Sequence, residues 1–301
     1  MTSSSTSAQP GDSNISWPTE RIPQHPEEEW HPSFTSHRSP SVSSSISNSS
    51  SEPPEIDPTN LPAGTRSLSG ISLRAFLLGT SLGLTTGLTL YLAILPTPFW
   101  RIPFFIGALS LFHFLEFIVT AQYNTPFATV KAFLLSSNGW AYNAAHGSAL
   151  VECLVSHYFF PGQWTLGRML SFEGPFGHVS LLLVLGLVLT VVGQAIRTGA
   201  MATAAGNFNH HVQSEHRSGH VLVKSGLYRF LRHPSYFGFF WWGLGTQLIL
   251  GNVVCFVGYA LVLWRFFATR IKREEAFLIQ FFGAEYVQYR KDTPVGIPFV
   301  R

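Results

Sequence analysis

The chain has 301 residues, of which 46% are hydrophobic and only 12% are charged, and its formal net charge is +3. Soluble domains carry about 25% charged residues, so this composition argues against an ordinary soluble protein. The first seventy positions hold 8 of the 16 acidic residues but only 3 of the 19 Lys and Arg, which leaves 16 basic against 8 acidic residues in the remainder. A basic excess can indicate a nucleic-acid partner. Beside long apolar segments it is more typical of loops that flank membrane helices. We therefore expect a lipid bilayer, and no nucleic acid, as a partner.

Residues 1–70 contain 19 Ser and 10 Pro and no sustained apolar run. Such a segment cannot bury enough apolar surface to offset the entropy of ordering. It also lacks the basic-then-apolar layout of a signal peptide. We expect a disordered tail on the cytosolic side.

Several apolar segments follow the tail. A bilayer-spanning helix needs about 20 mostly apolar residues. In chain order, such segments lie at 71–95, 103–121, 138–160 and 178–196, of which the third is the weakest. Residues 235–268 are apolar again, too long for one span, and have Gly251 and Asn252 near their middle, which predicts a tight helical hairpin. The fold is therefore predicted to be all-α: a polytopic integral membrane protein with about six transmembrane helices.

The basic residues predict the orientation of these helices. They follow the fourth span, close the hairpin and mark the C-terminal segment, and the positive-inside rule places such residues in the cytosol. This divides the chain after the tail into transmembrane helices over 71–197 and a second region over 198–301. The second region comprises a loop, the hairpin and an amphipathic C-terminal helix. We expect its polar side chains to lie on the cytosolic side.

Residues 207–236 carry a dense set of amide, imidazole and phenol side chains. A metal site would need ligands at recurrent short spacings backed by carboxylates. No Cys contributes and no H-E-x-x-H motif is present, so no metal is predicted. The glycine pattern of a phosphate-binding loop is also absent from this segment. A solvated loop and a site for a small charged cofactor at the membrane surface remain as alternatives.

A second cluster follows at residues 265–286. Arg270 and Glu274 stand four positions apart and share a helix face. The ordinary alternative for Glu274 and Glu275 is a surface ion pair with Arg270 or Lys272. The same segment contains an apolar stripe at helical spacing, formed by Phe277, Leu278, Phe281 and Phe282. Such a stripe more often packs against other helices than binds a cofactor.

Ionisable residues inside the predicted spans are costly and are functional candidates by default. His113 and Glu116 lie three positions apart in the second span. A hydrogen bond between them, or with a neighbouring helix, would satisfy them structurally. Arg197, just past the fourth span, could be a topology anchor, and Cys153 and Cys255 are predicted to be inert core residues.

Four stretches together resemble one family. They are "HFLEF" (113–117), "AIRTGAMATAAGNFNHHVQ" (195–213), "HVLVKSGLYRFLRHPSYFGFF" (220–240) and "RFFATRIKREEAFLIQFFGAEYVQYRKDTPVGIPFV" (265–300). In this combination they resemble protein-S-isoprenylcysteine O-methyltransferases over roughly residues 71–301. The R-H-P-x-Y-x-G motif alone is shared with phospholipid methyltransferases and, loosely, with membrane sterol reductases.

The resemblance implies an endoplasmic-reticulum enzyme that uses S-adenosylmethionine. It would methylate the C-terminal carboxylate of farnesylated or geranylgeranylated cysteine in CaaX-processed proteins, such as Ras- and Rho-type GTPases or prenylated pheromone-like peptides. The cofactor contacts it implies are Gln213, His220, Val221, Leu222, Val223, Tyr228, His233, Pro234, Ser235, Tyr236 and Glu274. Catalytic roles on the substrate side fall on Arg270 and Arg197.

The substrate chemistry agrees with this assignment. An α-carboxylate has a pKa of about 3.5 and is ionised at cytosolic pH, so methyl transfer needs positioning rather than a general base. The prenyl chain should arrive from the lipid through a portal lined by the second to fourth spans, with His113 and Glu116 as nearby substrate-binding residues. The alternatives are a phospholipid N-methyltransferase, which would need a base, and a lipid-binding or transport protein.

Overall fold

The computed structural model describes residues 56–95, 97–135, 137–160, 171–174, 177–216 and 219–300. Within these ranges the helices are α1 (Leu68–Ile94), α2 (Arg101–Tyr123), α3 (Gly139–Phe159), α4 (Leu181–Ala204), α5 (Pro234–Leu250), α6 (Val254–Phe282) and α7 (Ala284–Asp292). Two four-residue strands, β1 (Ser171–Gly174) and β2 (Gly177–Ser180), pair antiparallel just before α4. The fold is otherwise helical, as predicted.

Four helical segments are long and apolar enough to cross a bilayer: Leu68–Ile94, Pro98–Tyr123, Leu181–Asn207 and Val254–Phe282. They match three of the predicted spans and the second half of the hairpin. The other two predicted spans are helical but less typical of the membrane. Helix α3 carries polar side chains such as Asn143, His146 and Glu152, and α5 has 17 residues.

The hairpin predicted over 235–268 is present, although its second helix extends well beyond, to Phe282. Gly251 ends α5 in the left-handed conformation, with φ of 77°, where glycine is favoured. Arg101 donates a hydrogen bond of 2.6 Å from Nη1 to the carbonyl oxygen of Ile249 at this helix end. A cation there interacts favourably with the negative end of the helix dipole.

Glu152 of α3 holds the opposite end of the same turn. Its carboxylate accepts hydrogen bonds from the backbone N–H groups of Val253 (2.7 Å), Val254 (2.8 Å) and Cys255 (2.6 Å). These are N–H groups at the start of α6 that lack partners within the helix. The lone Glu152 of the sequence is thus a helix cap donated by a different helix.

Helices α4 and α5 pack with their backbones in contact. A Cβ atom built on Gly193 would lie 2.6 Å from the carbonyl oxygen of Gly238, and one built on Gly245 would lie 2.7 Å from the backbone nitrogen of Thr190. Only glycine fits at such distances. This close contact brings Arg197 of α4 beside the first turn of α5, where Ser235 lies.

Hydrogen bonds hold the residues just before and at the start of α1. Ser67 caps α1 by accepting a hydrogen bond of 3.1 Å from the backbone N–H of Gly70. The backbone N–H of Val130 donates to the carbonyl oxygen of Thr65 at 2.9 Å. These contacts fix residues 56–70, which the sequence assigned to the tail, while residues 1–55 lie outside the described part.

Candidate active site

A cleft opens where the segment after α4 meets the start of α5, the C-terminal half of α6 and helix α7. Its empty volume, including the part open to solvent, is about 830 Å³. Ten of the eleven residues predicted to contact a cofactor line it: Gln213, His220, Val221, Leu222, Val223, Tyr228, His233, Ser235, Tyr236 and Glu274. The eleventh, Pro234, is the first residue of α5, where proline favours helix initiation. The structure therefore gathers these residues in one place, and their role as cofactor contacts stays a prediction.

Other residues of the cleft had no assigned role in the sequence. They include Asn207, Phe208, Asn209, His211, Leu278, Phe281, Phe282, Tyr286 and Tyr289. Leu278, Phe281 and Phe282 belong to the apolar stripe at residues 277–282, whose helical spacing favoured a role in packing. The signal that could have found them is their position one and two turns beyond Glu274 on the same helix.

Tyr236 lies at the junction of the two predicted functional sides. Its hydroxyl donates a hydrogen bond of 2.6 Å to Glu274 Oε2 and accepts one of 2.8 Å from Arg270 Nε. Its ring is stacked on His233 and Phe267, with centroid distances of 5.4 and 5.1 Å. The phenol is thus held by ring stacking and at its hydroxyl group. Arg270 and Glu274, which share a helix face, are joined through this hydroxyl.

Glu275 is buried and hydrogen-bonded to neighbouring side chains. Its carboxylate is 4% exposed and lies 2.6 Å from Arg232 Nε and 3.2 Å from His233 Nε2. Arg232 also donates from Nη1 to the carbonyl oxygen of Thr293 at 2.7 Å. The surface ion pair considered for Glu275 is therefore replaced by a buried pair that joins the start of α5 to α6 and to the segment after α7.

Glu116 and Arg197 form a buried ion pair between α2 and α4. Glu116 is 1% exposed and Arg197 is 7% exposed. Arg197 contacts both carboxylate oxygens, Oε1 from Nε and Oε2 from Nη2, the latter at 2.8 Å. Its Nη1 faces the hydroxyl of Ser235 at 3.2 Å. His210 completes the cluster with Nε2 at 2.8 Å from Glu116 Oε2.

His113 has different partners from Glu116, one turn away. Its Nδ1 lies 2.8 Å from the carbonyl oxygen of Phe133, which can only accept, so Nδ1 is the donor. Its Nε2 lies 3.2 Å from the hydroxyl of Tyr142 on α3. The hydrogen bond considered between His113 and Glu116 gives way to contacts with neighbouring elements.

A second cavity lies where α1, α2 and α3 meet. Its empty volume is about 540 Å³, including open space, and its lining is mostly apolar. Lining residues include Leu78, Ile106, Leu109, His113 and Asn143. His113 therefore faces a cavity among the membrane helices rather than the cleft that holds Tyr236.

Tyrosines near the cleft stay neutral. Burial, and secondarily the Glu274 carboxylate, raises the pKa of Tyr228 well above its usual range. Burial raises the pKa of Tyr289 to about 12. The Tyr289 hydroxyl donates a hydrogen bond of 2.5 Å to the backbone carbonyl of Tyr228, which fixes the turn Gly226–Arg229 against α7. His211, by contrast, has its pKa lowered by partial burial and by the positive charge of Arg270.

The cleft combines the Glu274 carboxylate, the Arg232 guanidinium, several amides and imidazoles, phenols and an apolar strip at Val221–Val223. That donor set fits a zwitterionic nucleoside-like molecule with an aromatic base. The described residues contain no group of three or more His, Cys, Asp or Glu side chains that could hold a metal ion.

Comparison with known proteins identifies the family. A sequence profile of the isoprenylcysteine carboxyl methyltransferase (ICMT) family matches residues 184–280, which run from α4 through most of α6. The protein-S-isoprenylcysteine O-methyltransferase of Saccharomyces cerevisiae (strain ATCC 204508 / S288c) is 44% identical over 230 residues, covering 76% of this chain and 91% of the relative. The enzyme of that name from Homo sapiens is 38% identical over 231 residues, covering 77% and 75%.

A solved structure is also similar: that of a eukaryotic intramembrane Ras methyltransferase, ICMT, without a monobody. It superposes with a TM-score of 0.67 at 35% identity and 77% coverage of both chains. The resemblance found in the sequence is therefore confirmed. Membership implies a methyl donor and a multi-pass membrane location. This chain belongs to the isoprenylcysteine carboxyl methyltransferase family.

Proposed function

We propose that this chain transfers a methyl group from S-adenosylmethionine to the C-terminal α-carboxylate of prenylated cysteine, forming a methyl ester. The observation that carries the proposal is the meeting of Arg270 and Glu274 at the hydroxyl of Tyr236. It sets a cationic group suited to a carboxylate directly beside a cleft suited to the donor.

The donor would bind in the cleft, with Glu274, Tyr228, Gln213 and the strip Val221–Val223 as its contacts. When bound, S-adenosylmethionine supplies an electrophilic methyl group on a sulfonium. The neutral Tyr228 can donate a hydrogen bond, and Glu274 can accept one. The aromatic side chains can cover an adenine ring and the cationic centre.

Arg270 would hold the substrate carboxylate. Its hydrogen-bond partners are the Tyr236 hydroxyl, at Nε, and the carbonyl oxygen of His210, at Nη2. Within the described residues these bonds leave Nη1 available. A guanidinium presents five N–H donors, so hydrogens remain for charge-assisted bonds to a carboxylate.

Arg197 would act differently from the catalytic role expected for it. Its Nε and Nη2 contact Glu116, and its Nη1 faces Ser235. Its guanidinium carbon also lies 5.2 Å from the ring centroid of Phe112 and 5.2 Å from that of Phe239. With its three nitrogens already engaged, Arg197 is suited to position Ser235 at the cleft wall rather than to bind substrate.

The reaction requires alignment and exclusion of water more than proton transfer. The carboxylate is already ionised, and its oxygen, the methyl carbon and the sulfur must lie in line. Opposite charges are neutralised as the bond forms, so a clamp that bound the carboxylate too tightly would slow the reaction. The Tyr236 hydroxyl, by holding Arg270 at Nε, limits how far the guanidinium can follow the substrate.

The prenyl chain would arrive from the lipid. A 15- or 20-carbon chain is costly to move through water, at about 0.8 kcal/mol per CH₂ group. The cavity between α1, α2 and α3, lined by Leu78, Ile106 and Leu109, offers apolar space among the membrane helices. His113 faces this cavity, which supports a place for it beside the prenyl chain.

The membrane would be that of the endoplasmic reticulum, with the cleft facing the cytosol. The basic residues that follow α4 and close α6 support this orientation through the positive-inside rule. CaaX-processed proteins, among them Ras- and Rho-type GTPases and prenylated pheromone-like peptides, would be the substrates.

A single assay tests the function. Purified protein in detergent or vesicles is incubated with methyl-labelled S-adenosylmethionine and N-acetyl-S-farnesylcysteine, and base-labile methyl ester is scored. We expect labelled ester, and we expect none with N-acetyl-cysteine that lacks the prenyl group. Label in phospholipid with no ester would instead assign the chain to the N-methyltransferases.

A further inference from the structure

We infer that His210 is a positioning residue for the reaction: it sets the orientation of Arg270 by anchoring the backbone to which that guanidinium binds. The inference rests on the proposed function, because it concerns how the substrate carboxylate is held. Neither the histidine itself nor its neighbours in the sequence pointed to this role.

His210 makes its two polar contacts in opposite directions. Its carbonyl oxygen accepts a hydrogen bond from Arg270 Nη2, on α6. Its ring nitrogen Nε2 lies 2.8 Å from Glu116 Oε2, on α2. The residue therefore connects the arginine proposed to bind substrate with the buried carboxylate between α2 and α4.

The ring is well fixed. Glu116 is paired with Arg197, so its carboxylate acts as an acceptor and His210 Nε2 carries the hydrogen. The His210 side chain is 14% exposed, and the ring of Phe208 packs edge-on against it at 5.2 Å. Because this ring is fixed, the backbone carbonyl group of the same residue has little freedom to move.

The ring does not itself line the cleft, whereas Asn209 and His211 on either side do. General loosening of this segment would therefore disturb the cleft and weaken donor binding. Loss of the ring anchor alone would misplace Arg270 and leave the donor site intact. The two effects can be told apart by measuring them separately.

The test compares His210→Ala and His210→Gln with Asn124→Ala. Gln can place an amide N–H near the position of Nε2. Asn124 provides the matched control, because its side-chain amide donates a 2.8 Å hydrogen bond to the carbonyl oxygen of Phe208 on the same segment. For each variant, kcat and KM for N-acetyl-S-farnesylcysteine, the Kd of S-adenosylmethionine by calorimetry and the thermal unfolding midpoint are measured.

We expect His210→Ala to lower kcat/KM for the prenylcysteine roughly tenfold or more, since a hydrogen bond to a charged group is lost from the positioning chain. The donor Kd should change less than about twofold, and His210→Gln should recover part of the activity. In His210→Ala, the further loss caused by Arg270→Lys should be smaller than in wild type, because residues that act as a unit are not additive.

Four results would overturn the inference while the wild type still makes ester. One is full activity in folded His210→Ala. Another is failure of the Gln variant to exceed the Ala variant. A third is an equal loss in Asn124→Ala, and the fourth is a parallel rise in donor Kd. Absence of ester from the wild type would instead remove the proposed function.

Discussion

Arg270 and Glu274 lie one turn apart on α6 and bind the same hydroxyl group, that of Tyr236. The residue expected to meet substrate and the residue expected to meet the donor are therefore separated by a single oxygen atom. Because this oxygen accepts from one and donates to the other, the two sites are coupled in their orientation.

Tyr236→Phe removes the shared hydroxyl and keeps the stacked ring. Two hydrogen bonds to charged groups are lost, so we expect kcat to fall roughly 10- to 100-fold. The donor Kd should rise only a few-fold, because Glu274 remains in place. Steady-state kinetics and calorimetry on the same preparation measure both, and a kcat within twofold of wild type would show that the hydroxyl positions nothing.

Glu274→Ala and Arg270→Ala should separate the two sides of the site. We expect Glu274→Ala to raise the donor Kd about tenfold, since a hydrogen-bonded carboxylate leaves the cleft. Arg270→Ala should chiefly lower methyl transfer and leave the donor Kd within about threefold of wild type. Lys272→Ala, an exposed position on the same helix, is the control and should match wild type. Unchanged donor affinity in Glu274→Ala would exclude that residue from the donor site.

Glu116→Ala should destabilise the fold. It leaves Arg197 buried without its acceptor, and removal of one partner of a buried ion pair typically costs about 3–5 kcal/mol. The thermal unfolding midpoint in detergent should fall clearly. Replacing both partners, with Glu116→Met and Arg197→Met together, should restore part of the midpoint because no charge stays unpaired. A double variant as unstable as the single one would contradict this account.

Gly193→Ala should be far more damaging than Gly147→Ala. A methyl group at residue 193 would lie 2.6 Å from a backbone oxygen of α5, and overpacking of this kind costs typically 1–3 kcal/mol. At residue 147 a built Cβ has no atom within 4 Å. Because alanine has a higher helix propensity than glycine, Gly147→Ala should be neutral or should stabilise the fold by up to about 1 kcal/mol. Thermal unfolding of the two variants provides the comparison. Equal midpoints would show that the α4–α5 contact can open at no cost.

Asn143→Phe should narrow the cavity between α1, α2 and α3. If the prenyl chain occupies that space, KM for N-acetyl-S-farnesylcysteine should rise several-fold, because apolar contact area is lost on binding. The donor Kd should not change. Ala144→Phe places the same ring at the next exposed position of α3, outside the cavity lining, and should leave KM unaltered. The same KM in both variants would place the prenyl chain elsewhere.

The sequence predicted the helices well and the pairing of side chains poorly. Hydropathy located α1 to α4, and Gly251 marked the hairpin turn, because these features depend on residues close together in the chain. The motif R-H-P-S-Y with Glu274 located the cleft for a different reason: family resemblance carries spatial information that periodicity does not.

Contacts between residues far apart in the chain could not be predicted from the sequence. Glu116 meets Arg197 and His210 across 81 and 94 residues, and Glu152 caps a helix about 100 residues away. Nothing in local spacing distinguishes these carboxylates from surface ones. Only the packing of α2 and α3 against later helices decides their partners. The glycine contact between α4 and α5 was hidden likewise, because Gly193 and Gly238 lie on different helices and no local pattern pairs them.

The turn between α5 and α6 has a consequence for how the protein is assembled. Helix α5 has 17 residues, about 26 Å at 1.5 Å per residue, which is shorter than the roughly 30 Å hydrocarbon layer. The turn that follows it relies on Arg101, which binds the end of α5, and on Glu152, which caps the start of α6, and both come from segments synthesised earlier. The C-terminal half therefore depends on the N-terminal helices as an insertion scaffold. A truncated chain that starts after α4 should enter a bilayer without closing its hairpin.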